Sequence, residues 1–515
     1  MKKNYLLFLF VVALPLLFSS ATDVQSRDGQ TLNEDLVLLV DDFGPWAGDS
    51  FTLSGSGLTL TDSVLSSSFT SPPVRAPFSF NAVVPQWSAD LPQDAGLEFQ
   101  LRSSDNGTVW SAWRDIHPSP DMNPLAEEQI VGDMYFVPGS AGTHTLVQIM
   151  ITLHRAHDEV DPLLRELRLT FIDSTAGPTT EQLIAMQQAL DHRNGADQDE
   201  AEAGYPKPFV ISRAVWCTDP ACNYSDGLEY QPVTHLILHH TVGIPDGDSA
   251  AQMRAYWSYH AYTKDWGDIG YNYVIDLGGN IFEGHLGGDD VIGTHAAGAN
   301  AGSMGLAMIG TYSVAEPSDA VKESIIDMFA WKADQKEIDV FGASAALPNM
   351  DWGLPHVMGH RDVYGTTECP GGAAHKLIPA IRDEVASRIG LQSPYIYVDE
   401  LSDSFVKSNA NWYTADSQCG HNTHAFYTWS TTDPAQAVNW GEWRPDVPLT
   451  GRYQIEAHIP YCRTLRLETG GAHYTIYHAG GADDVLVSQQ ANLGLWAPLG
   501  EYTLLAGDET VIHLT

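Results

Sequence analysis

The segment Val233-Thr-His-Leu-Ile-Leu-His-His-Thr241 decides the fold of the middle of this chain. Because side chains alternate across a strand, His239 shares a face with Ile237, while Leu236 and Leu238 point the opposite way. Both faces carry apolar residues, which is typical of a strand buried inside a sheet. The segment therefore predicts a buried strand that ends in histidines, beside a candidate functional site.

Strands and helices alternate around this segment from residue 206 to residue 390. Met253 and Trp257 share one stripe of a predicted helix, and Leu277-Gly278-Gly279 makes the turn of a hairpin. Two further amphipathic helices are predicted before residue 390. This mixture predicts a central α/β domain, with a mixed sheet and flanking helices.

Short alternating segments on either side of the central domain indicate β structure. Leu97, Phe99 and Leu101 alternate with polar residues in the first region, and Tyr453 and Ile455 do so in the last. The sequence predicts a multidomain chain, with a β-sandwich over 37–175, an exposed acidic linker over 176–205, the α/β domain over 206–390 and a second β-sandwich over 395–515.

The overall charge of this chain limits its partners. Its 515 residues include 26 Lys+Arg and 65 Asp+Glu, which gives a net charge of −39. Such a surface repels nucleic acid and anionic membranes, so neither is expected as a partner. It also opposes close contact with polyanions of the wall type.

The first residues are typical of an export signal. Lys2 and Lys3 precede an apolar run over Tyr5–Phe18, and Ser19-Ser20-Ala21 offers small residues for cleavage. We expect a signal peptide over 1–21, a protein secreted or held in the cell envelope, and no membrane span after signal removal. The alternative is an N-terminal membrane anchor, for which the apolar run is short.

In an oxidising compartment, the five cysteines of the chain can form disulfides. Cys217 and Cys222 lie close enough in sequence to close a small disulfide loop, and Cys419 and Cys462 share the last domain and can also pair. Cys369 is then left single. A single cysteine in an exported protein calls for a reason, such as a thiol nucleophile or a metal ligand.

Three segments of the central domain carry side chains that suit zinc. A catalytic zinc site uses three protein ligands and leaves one position for water. His239 ends the buried strand, His360 follows the apolar residues Val357-Met358, and Cys369 lies in a turn made by Pro370-Gly371. From the residues alone, a zinc site, a cysteine protease and a buried structural thiol all remain open.

An ordered series of motifs resembles a known family. In chain order, the motifs are Ile211-Ser-Arg-Ala-Val-Trp216, His239-His-Thr241, Asp268-Ile-Gly-Tyr-Asn-Tyr273, Gly293-Thr-His295 with Asn300, Gly359-His-Arg-Asp362 and Thr367-Glu-Cys-Pro-Gly371. Residues 209–389 resemble the N-acetylmuramoyl-L-alanine amidase type 2 and peptidoglycan recognition protein superfamily. One such motif is a weak signal, whereas the ordered series is a strong one.

The resemblance implies a function and a set of site residues. It implies a secreted, zinc-dependent peptidoglycan hydrolase that cuts between N-acetylmuramic acid and L-alanine. The alternative is a peptidoglycan-binding recognition protein or a surface adhesin with little turnover. Because family members that lack the cysteine are usually binders, Cys369 favours catalysis. The implied residues are His239, His360 and Cys369 as Zn2+ ligands, Tyr271 and Thr367 as catalytic residues, and His260, Trp266, His295 and Asn300 as contacts to the muramyl peptide.

Two positions depart from the family pattern. Asp265 stands where the family has glycine beside a tryptophan, and His285 stands where the family often has arginine. Trp266 still resembles the pair that reads diaminopimelate as the third residue of the stem peptide. The sequence therefore favours peptidoglycan that contains diaminopimelate.

The last domain resembles a second family. Gly451-Arg-Tyr453, Tyr474–Gly481 and Asn492–Gly500 resemble a golvesin-type C-terminal domain. The resemblance implies an accessory β-sandwich, either with glycan binding or as a spacer without a ligand.

Overall fold

The computed structural model describes most of the chain. The described residues are 31–54, 57–92, 95–119, 129–139, 143–155, 161–194, 204–223, 227–243, 245–344, 347–350, 353–365, 367–391, 395–409, 412–415, 425–431, 433–460, 468–493 and 495–515. The predicted signal peptide, residues 195–203 of the predicted acidic linker and the predicted Cys419–Cys462 pair lie outside these residues. Within them, no helix is long and apolar enough to cross a membrane.

The N-terminal region forms two antiparallel sheets around one core. Its elements are β1 Leu32–Leu39, α1 Val40–Ala47, β2 Phe51–Ser54, β3 Gly57–Leu60, β4 Ser66–Thr70, β5 Val74–Phe80, β6 Ala82–Asp90, β7 Gly96–Ser104, β8 Arg114–Ile116, β9 Ile130–Val131, β10 Tyr135–Phe136, β11 His144–His154 and β12 Leu163–Asp173. The order β10-β6-β12-β3-β2, with β1 on β12, makes one sheet, and the order β4-β11-β7-β8 makes the other. Leu101 and Leu169, from opposite sheets, share the core between them.

The segment after β12 is a docked helix, which corrects part of the linker prediction. Helix α2 spans Thr180–Asn194, and Leu183 is fully buried in a core that also contains residues of the central domain. Gln187 accepts hydrogen bonds from the backbone N–H and the hydroxyl of Ser212. The expectation of an exposed linker is therefore wrong for this helix, because its apolar side chains cover the central domain.

The central region contains a mixed six-stranded sheet, as predicted. Its order is β13-β16-β15-β17-β14-β20, in which only the β15–β16 pair is antiparallel. The strands and helices are β13 Val210–Ile211, α3 Arg213–Trp216, β14 His235–His240, α4 Ser249–Ser258, β15 Tyr273–Ile275, β16 Ile281–Glu283, β17 Ser303–Met308, α5 Asp319–Lys336, β18 Ala343–Ser344, β19 Leu354–Pro355, β20 Val357–Gly359, α6 Arg361–Tyr364, α7 Gly372–His375 and α8 Ile378–Arg388.

Helices cover both faces of this sheet. All six residues of β14 are buried, and Leu236 and Leu238 pack with apolar residues of α5 and α8. Helix α4 packs on the opposite face, begins at an Asp248 side chain that accepts from the Ala251 N–H, and continues into a π-helical turn over Tyr259–Thr263. A disulfide joins Cys217 and Cys222, as predicted.

The C-terminal region is also rich in β structure. Its strands are β21 Phe405–Lys407, β22 Tyr413–Thr414, β23 Phe426–Tyr427, β24 Gly441–Trp443, β25 Gly451–His458, β26 Ala472–His478, β27 Gly481–Val487, β28 Trp496–Leu504 and β29 Val511–Leu514. A five-stranded sheet of order β21-β24-β29-β26-β27 and the pair β25-β28 enclose a separate core around Ile476.

The N-terminal and central regions share a core. Val84, Phe136 and Ile172 of the N-terminal sheets lie in one apolar cluster with Tyr256 of α4. The rings of Phe136 and Tyr256 meet edge to face at 5.7 Å. Arg114 also forms an ion pair at 3.0 Å with Asp246, in the loop before α4. The two regions are therefore joined by buried apolar surface as well as by the chain.

Candidate metal centre

The structure brings together the three residues that the sequence predicts as zinc ligands. His239 ends β14, His360 follows β20 and Cys369 lies in the next turn, and β14 and β20 are parallel neighbours in the sheet. One ligand atom from each residue lies within 4.8 Å of the others. His239 and Cys369 have no exposed surface, and His360 is partly exposed. The group therefore has one side open to solvent.

The two ring nitrogens of His239 face different partners. Its Nε2 lies 3.0 Å from Nδ1 of His295, and its Nδ1 lies 3.5 Å from Sγ of Cys369. The Ser303 hydroxyl donates to the Ala299 carbonyl and lies 3.5 Å from Nε2 of His295. His295 therefore donates to Ser303 and accepts from His239, which leaves the Nδ1 lone pair of His239 directed at the cysteine.

This geometry fits a tetrahedral zinc ion. With Zn–S near 2.3 Å and Zn–N near 2.05 Å, tetrahedral angles put the two ligand atoms about 3.6 Å apart. The 3.5 Å between Nδ1 of His239 and Sγ of Cys369 matches that value. Two imidazoles and a thiolate are also ligands that zinc prefers. The separation of this pair and the chemistry of all three residues therefore suit zinc.

Neutral histidines surround the centre. Burial lowers the pKa of His239 well below its ordinary value, and neighbouring histidines lower it further. Burial is also the main reason why the pKa values of His260 and His295 fall to about 3. A histidine must be neutral to bind a metal, so this environment holds His239 in the form that binds.

Two supporting residues were not predicted from the sequence. Ser303 lies on β17 and anchors the His295 ring, as described above. Gly305 lies two residues further along β17, where an added Cβ would come within 2.6 Å of that ring. The space for His295 therefore depends on a glycine. No sequence signal marked either residue, because neither belongs to a motif that carries metal chemistry.

The segments that carry His360 and Cys369 are tied together. Asp362 accepts from the Gly359 N–H at 2.9 Å and lies 2.8 Å from Nε2 of His375. Burial raises the pKa of the Asp362 carboxyl, but the hydrogen bond and charge of His375, the Gly359 N–H and the charge of Arg382 together outweigh it, so the net shift is downward. The Arg361 N–H donates to the Cys369 carbonyl at 2.8 Å. These bonds fix the spacing between the two ligands.

The turn around Cys369 has its own hydrogen bonds. The Cys369 N–H donates to the Thr367 hydroxyl at 3.0 Å, and the His240 N–H donates to the Cys369 sulfur at 3.4 Å. A donor to sulfur favours the thiolate, which is the form that binds metal. Thr367 thus lies beside the centre and orders the ligand turn, and its predicted catalytic role remains a prediction.

An aromatic row leads away from the ligands. The ring of Tyr271 lies 5.3 Å from that of His239, and the ring of His260 lies 5.9 Å from Tyr271. Trp266 packs on His260 at 4.7 Å, and the Lys264 ammonium lies 6.0 Å from the Trp266 ring. The predicted catalytic tyrosine and two predicted substrate residues therefore form one packed row beside the centre, in which His260 has no exposed surface.

Asn300 lies in the turn after His295. Its amide oxygen accepts from the backbone N–H groups of His295 at 2.9 Å and Ala296 at 2.6 Å. Asn300 therefore holds the backbone that presents His295. Its predicted contact with substrate, like that of His295, remains a prediction.

Left-handed backbone occurs at three positions that are near predicted site residues in the sequence. Val242, Asp265 and Ala297 have φ angles of 56°, 54° and 48°. The left-handed region disfavours residues with a Cβ, most of all a β-branched valine. Val242 follows the histidine motif, Asp265 precedes Trp266 and Ala297 follows His295. Strain of this kind is concentrated at functional sites, and at Asp265 it explains why the family has glycine there.

The second departure from the family pattern lies in a buried polar cluster. Asp268 accepts from the Arg213 guanidinium at 2.6 Å and from the Leu286 N–H at 2.9 Å. His285 Nδ1 lies 3.9 Å from the same carboxylate. Arg213 also donates to the Cys222 carbonyl. Arg213 and Asp268 therefore pin the disulfide loop to the hairpin that carries His285.

The central region of this chain is similar to known proteins. A family model described as N-acetylmuramoyl-L-alanine amidase matches residues 229–372. Peptidoglycan-recognition protein SC1a of Drosophila melanogaster is 31% identical over 166 residues, which are 32% of this chain and 80% of that protein. Peptidoglycan-recognition protein LB of the same organism is 30% identical over 196 residues, 37% of this chain and 75% of that protein. The chain belongs to the N-acetylmuramoyl-L-alanine amidase and peptidoglycan-recognition protein family.

The amidase family includes larger relatives. N-acetylmuramoyl-L-alanine amidase of Homo sapiens is 30% identical over 202 residues, 38% of this chain. The matched region spans only about a third of the length of this protein and of its pig and mouse counterparts. Residues 396–515 match a second family model, the Golvesin C-terminal domain.

Solved structures of the family are similar over the central region. Drosophila PGRP-LB is 27% identical and covers 33% of this chain and 93% of its own, with a TM-score of 0.28. The amidase LysCS of Clostridium intestinale is 21% identical and covers 37% of this chain and all of its own, with a TM-score of 0.26.

Proposed function

We propose that this chain is a secreted, zinc-dependent N-acetylmuramoyl-L-alanine amidase. It cleaves the amide between the lactyl group of N-acetylmuramic acid and L-alanine of the stem peptide. The observation that carries the proposal is the convergence of His239, His360 and Cys369, with ligand atoms within 4.8 Å of one another, in a domain of the amidase family.

His239, His360 and Cys369 would hold zinc. When bound, zinc supplies a Lewis acid and lowers the pKa of a coordinated water toward neutrality. The residues around it set the geometry. His295 fixes the tautomer and orientation of His239, and the turn held by Thr367 presents the sulfur.

Tyr271 is the best placed group for the developing charge of the reaction. Its ring lies 5.3 Å from that of His239, and the residue is 4% exposed. In our proposal the Tyr271 hydroxyl donates to the carbonyl oxygen of the scissile amide as negative charge grows on that oxygen. A hydrogen bond in such a buried place stabilises an oxyanion more than one in water does. Thr367 provides a second polar group on the cysteine side.

The stem peptide would lie along the aromatic row. Trp266, which packs on the fully buried His260 ring, would form one wall. His295 and Asn300 would form the opposite rim beside the candidate metal ligands. The tryptophan favours a diaminopimelate residue at the third position. The flanking β regions would act as accessory domains, with glycan binding proposed for the C-terminal one.

The deciding experiment measures new L-alanine amino termini released from purified peptidoglycan. The full chain is tested with zinc, after chelation, and after zinc is restored. The variants Cys369→Ala and His360→Ala each remove a ligand, and His473→Ala serves as the matched control because His473 is an exposed histidine of the C-terminal region. We expect His473→Ala to behave as the parent chain does.

The proposal predicts that turnover disappears on chelation, returns with zinc and is lost in both ligand variants. Full turnover after complete removal of zinc would contradict it, as would a fully active Cys369→Ala variant. Pull-down on insoluble peptidoglycan is measured alongside. Binding without turnover in the zinc-loaded parent chain would support the alternative of a recognition protein.

A further inference from the structure

A cleft lies between the N-terminal and central regions, away from the metal ligands. It encloses about 940 Å³, within the range of ligand pockets. One wall carries Glu34, Asp35 and Arg168 of the N-terminal sheet, and the other carries Asp219, Tyr262 and Lys264 of the central region. A cleft of this size and polarity suits a charged ligand of a few residues.

The two walls are fastened to each other. The Asn33 amide donates to the hydroxyls of Ser258 at 3.1 Å and Thr263 at 3.2 Å, and the Thr31 N–H donates to Asp219 at 3.1 Å. The shared core beneath them adds buried apolar contact. The cleft is therefore part of the folded unit.

The N-terminal wall is also ordered by hydrogen bonds. Asp35 accepts from Arg168 Nη1 at 3.0 Å and from the Thr170 hydroxyl at 2.7 Å, and Gln86 donates to that hydroxyl at 3.2 Å. Glu34, next to Asp35, is solvent-exposed. The N-terminal side thus carries the Glu34 and Asp35 carboxylates with the Arg168 that pairs with Asp35, whereas the opposite side carries the Lys264 ammonium. The Asp219 carboxylate on that opposite side already accepts from the Thr31 N–H.

Lys264 joins the cleft to the metal centre. Its ammonium lies 6.0 Å from the Trp266 ring, which begins the aromatic row through His260 and Tyr271 to His239. The separations along that row limit the distance from the ammonium to the His239 ring to at most about 22 Å. An extended peptide spans about 3.3–3.6 Å per residue, so five residues reach about 17 Å. A five-residue stem peptide cut at the metal end therefore covers about three quarters of that upper limit, which brings its distal end toward the cleft.

We infer that the cleft binds the distal end of an un-cross-linked stem peptide, an inference that rests on the proposed function. That end carries the C-terminal carboxylate and, close by, the free side-chain ammonium of the diamino acid. Lys264 pairs with the carboxylate, and Glu34 and Asp35 pair with the ammonium. Cross-linking acylates the ammonium and removes its charge, so the site discriminates against cross-linked peptides. The N-terminal region is thereby a specificity element of the amidase.

The test compares three soluble substrates with the full zinc-loaded chain. The first is a muramyl pentapeptide with a free diaminopimelate amine, the second is the same compound after acetylation of that amine, and the third is a muramyl dipeptide too short to reach the cleft. The variants are Lys264→Gln and Glu34→Gln. The matched control is Glu98→Gln, at an exposed glutamate on β7 outside the cleft. The readout is the ratio of kcat/KM values between substrates.

Each variant has its own expected result. Lys264→Gln lowers the pentapeptide-to-dipeptide ratio about tenfold, the effect of one lost charge-assisted hydrogen bond. Glu34→Gln lowers the preference for the free over the acetylated amine, and Glu98→Gln changes neither ratio. If all three substrates are cut and neither variant changes a ratio, the inference is wrong while the proposed function stands. If the parent chain cuts no substrate, the proposed function itself fails.

Discussion

His239 has both ring nitrogens committed, one toward Cys369 and one toward His295. His295 in turn depends on Ser303 for an acceptor and on Gly305 for space. At the residue scale, the candidate metal centre is therefore supported by residues that are not themselves candidate ligands. Such supporting hydrogen bonds commonly set both the orientation and the basicity of a ligand histidine.

The first prediction concerns this support. His295→Ala removes the acceptor for His239 Nε2, and Gly305→Ala pushes the His295 ring out of place. We expect each variant to bind zinc about 10–100-fold more weakly than the parent chain. Competition with a chromogenic chelator measures the affinity, and circular dichroism checks the fold. Unchanged zinc affinity in a folded His295→Ala variant would show that the ligand needs no such support.

Lys332 gives a prediction about pH. It has no exposed surface, donates to Gln335 at 2.7 Å and lies 3.7 Å from the Asp289 carboxylate. Burial lowers its pKa to about 8, against about 10.4 in an unfolded chain. Between those values the unfolded chain binds more protons, so the free energy of unfolding rises with pH, by up to about 3 kcal/mol.

The measurement is urea unfolding at about pH 8 and about pH 10, within the window between the folded and unfolded pKa values of the lysine. The parent chain becomes more stable across this interval through Lys332, and Lys332→Met loses that part of the increase. Lys322→Met, on the same helix but beside solvent, keeps the increase. Equal pH dependence in the parent chain and Lys332→Met would contradict the role of the buried ammonium.

The convergence of His239, His360 and Cys369 could be predicted from the sequence, because histidine and cysteine carry recognisable chemistry in an ordered series of motifs. Ser303 and Gly305 could not, because they act through the space and the acceptor that they provide to His295. That role depends on which strand lies beneath the ring, which no local pattern reveals.

At the scale of elements, helix α5 ends at a strained residue. Glu337 follows Lys336 with φ 53°, in the left-handed conformation that glycine favours, while the Ile338 N–H donates back to the Ala333 carbonyl. Glu337 is solvent-exposed and places a negative charge at the negative end of the helix dipole. The helix end therefore has the geometry of a glycine cap with an unfavourable residue in it.

We expect Glu337→Gly to stabilise the protein by about 1 kcal/mol, because it relieves left-handed strain and removes the charge. Glu337→Ala is the control, since it removes the charge but keeps a Cβ at the strained position. Thermal unfolding compares the two, and glycine should exceed alanine. A destabilised glycine variant would mean that the Glu337 side chain makes a contribution larger than the strain.

The elements themselves were largely predictable, and the exception is informative. Helix α5 and the β15–β16 hairpin appear where apolar periodicity and the turn at Leu277-Gly278-Gly279 predict them. The sequence predicts a linker at α2, because the apolar stretch there is short and acidic residues follow it. Its docking depends on a surface of the central domain that the local sequence does not encode.

At the scale of the whole molecule, the N-terminal and C-terminal regions differ in how they join the central region. The C-terminal core contains residues of that region and of the segment just before it, whereas Val84, Phe136 and Ile172 share a core with α4. The predicted order of β, α/β and β regions agrees with the structure. The core shared by the first two regions was not predicted. Alternation along a strand shows which residues are buried, but it does not show which other element they pack against.

Truncation tests this difference. Removal of residues 31–175 exposes the apolar face of α4, so we expect the remaining chain to unfold at least about 10 °C below the parent chain or to remain insoluble. Removal of residues 395–515 should leave the unfolding temperature of the rest nearly unchanged. In the full chain, Phe136→Ala should cost about 3–5 kcal/mol of stability. A shared core would be contradicted if both truncations lowered the unfolding temperature equally and Phe136→Ala left the stability unchanged.

The shared core also governs the order in which the chain can mature. A polypeptide is made from its N-terminus, and domains usually fold as they emerge. Here Val84, Phe136 and Ile172 must wait for Tyr256 and the rest of α4, well over a hundred residues later than the first of them. Until then the N-terminal sheets expose the apolar face that α4 later covers, so we expect the nascent chain to bind holdase chaperones.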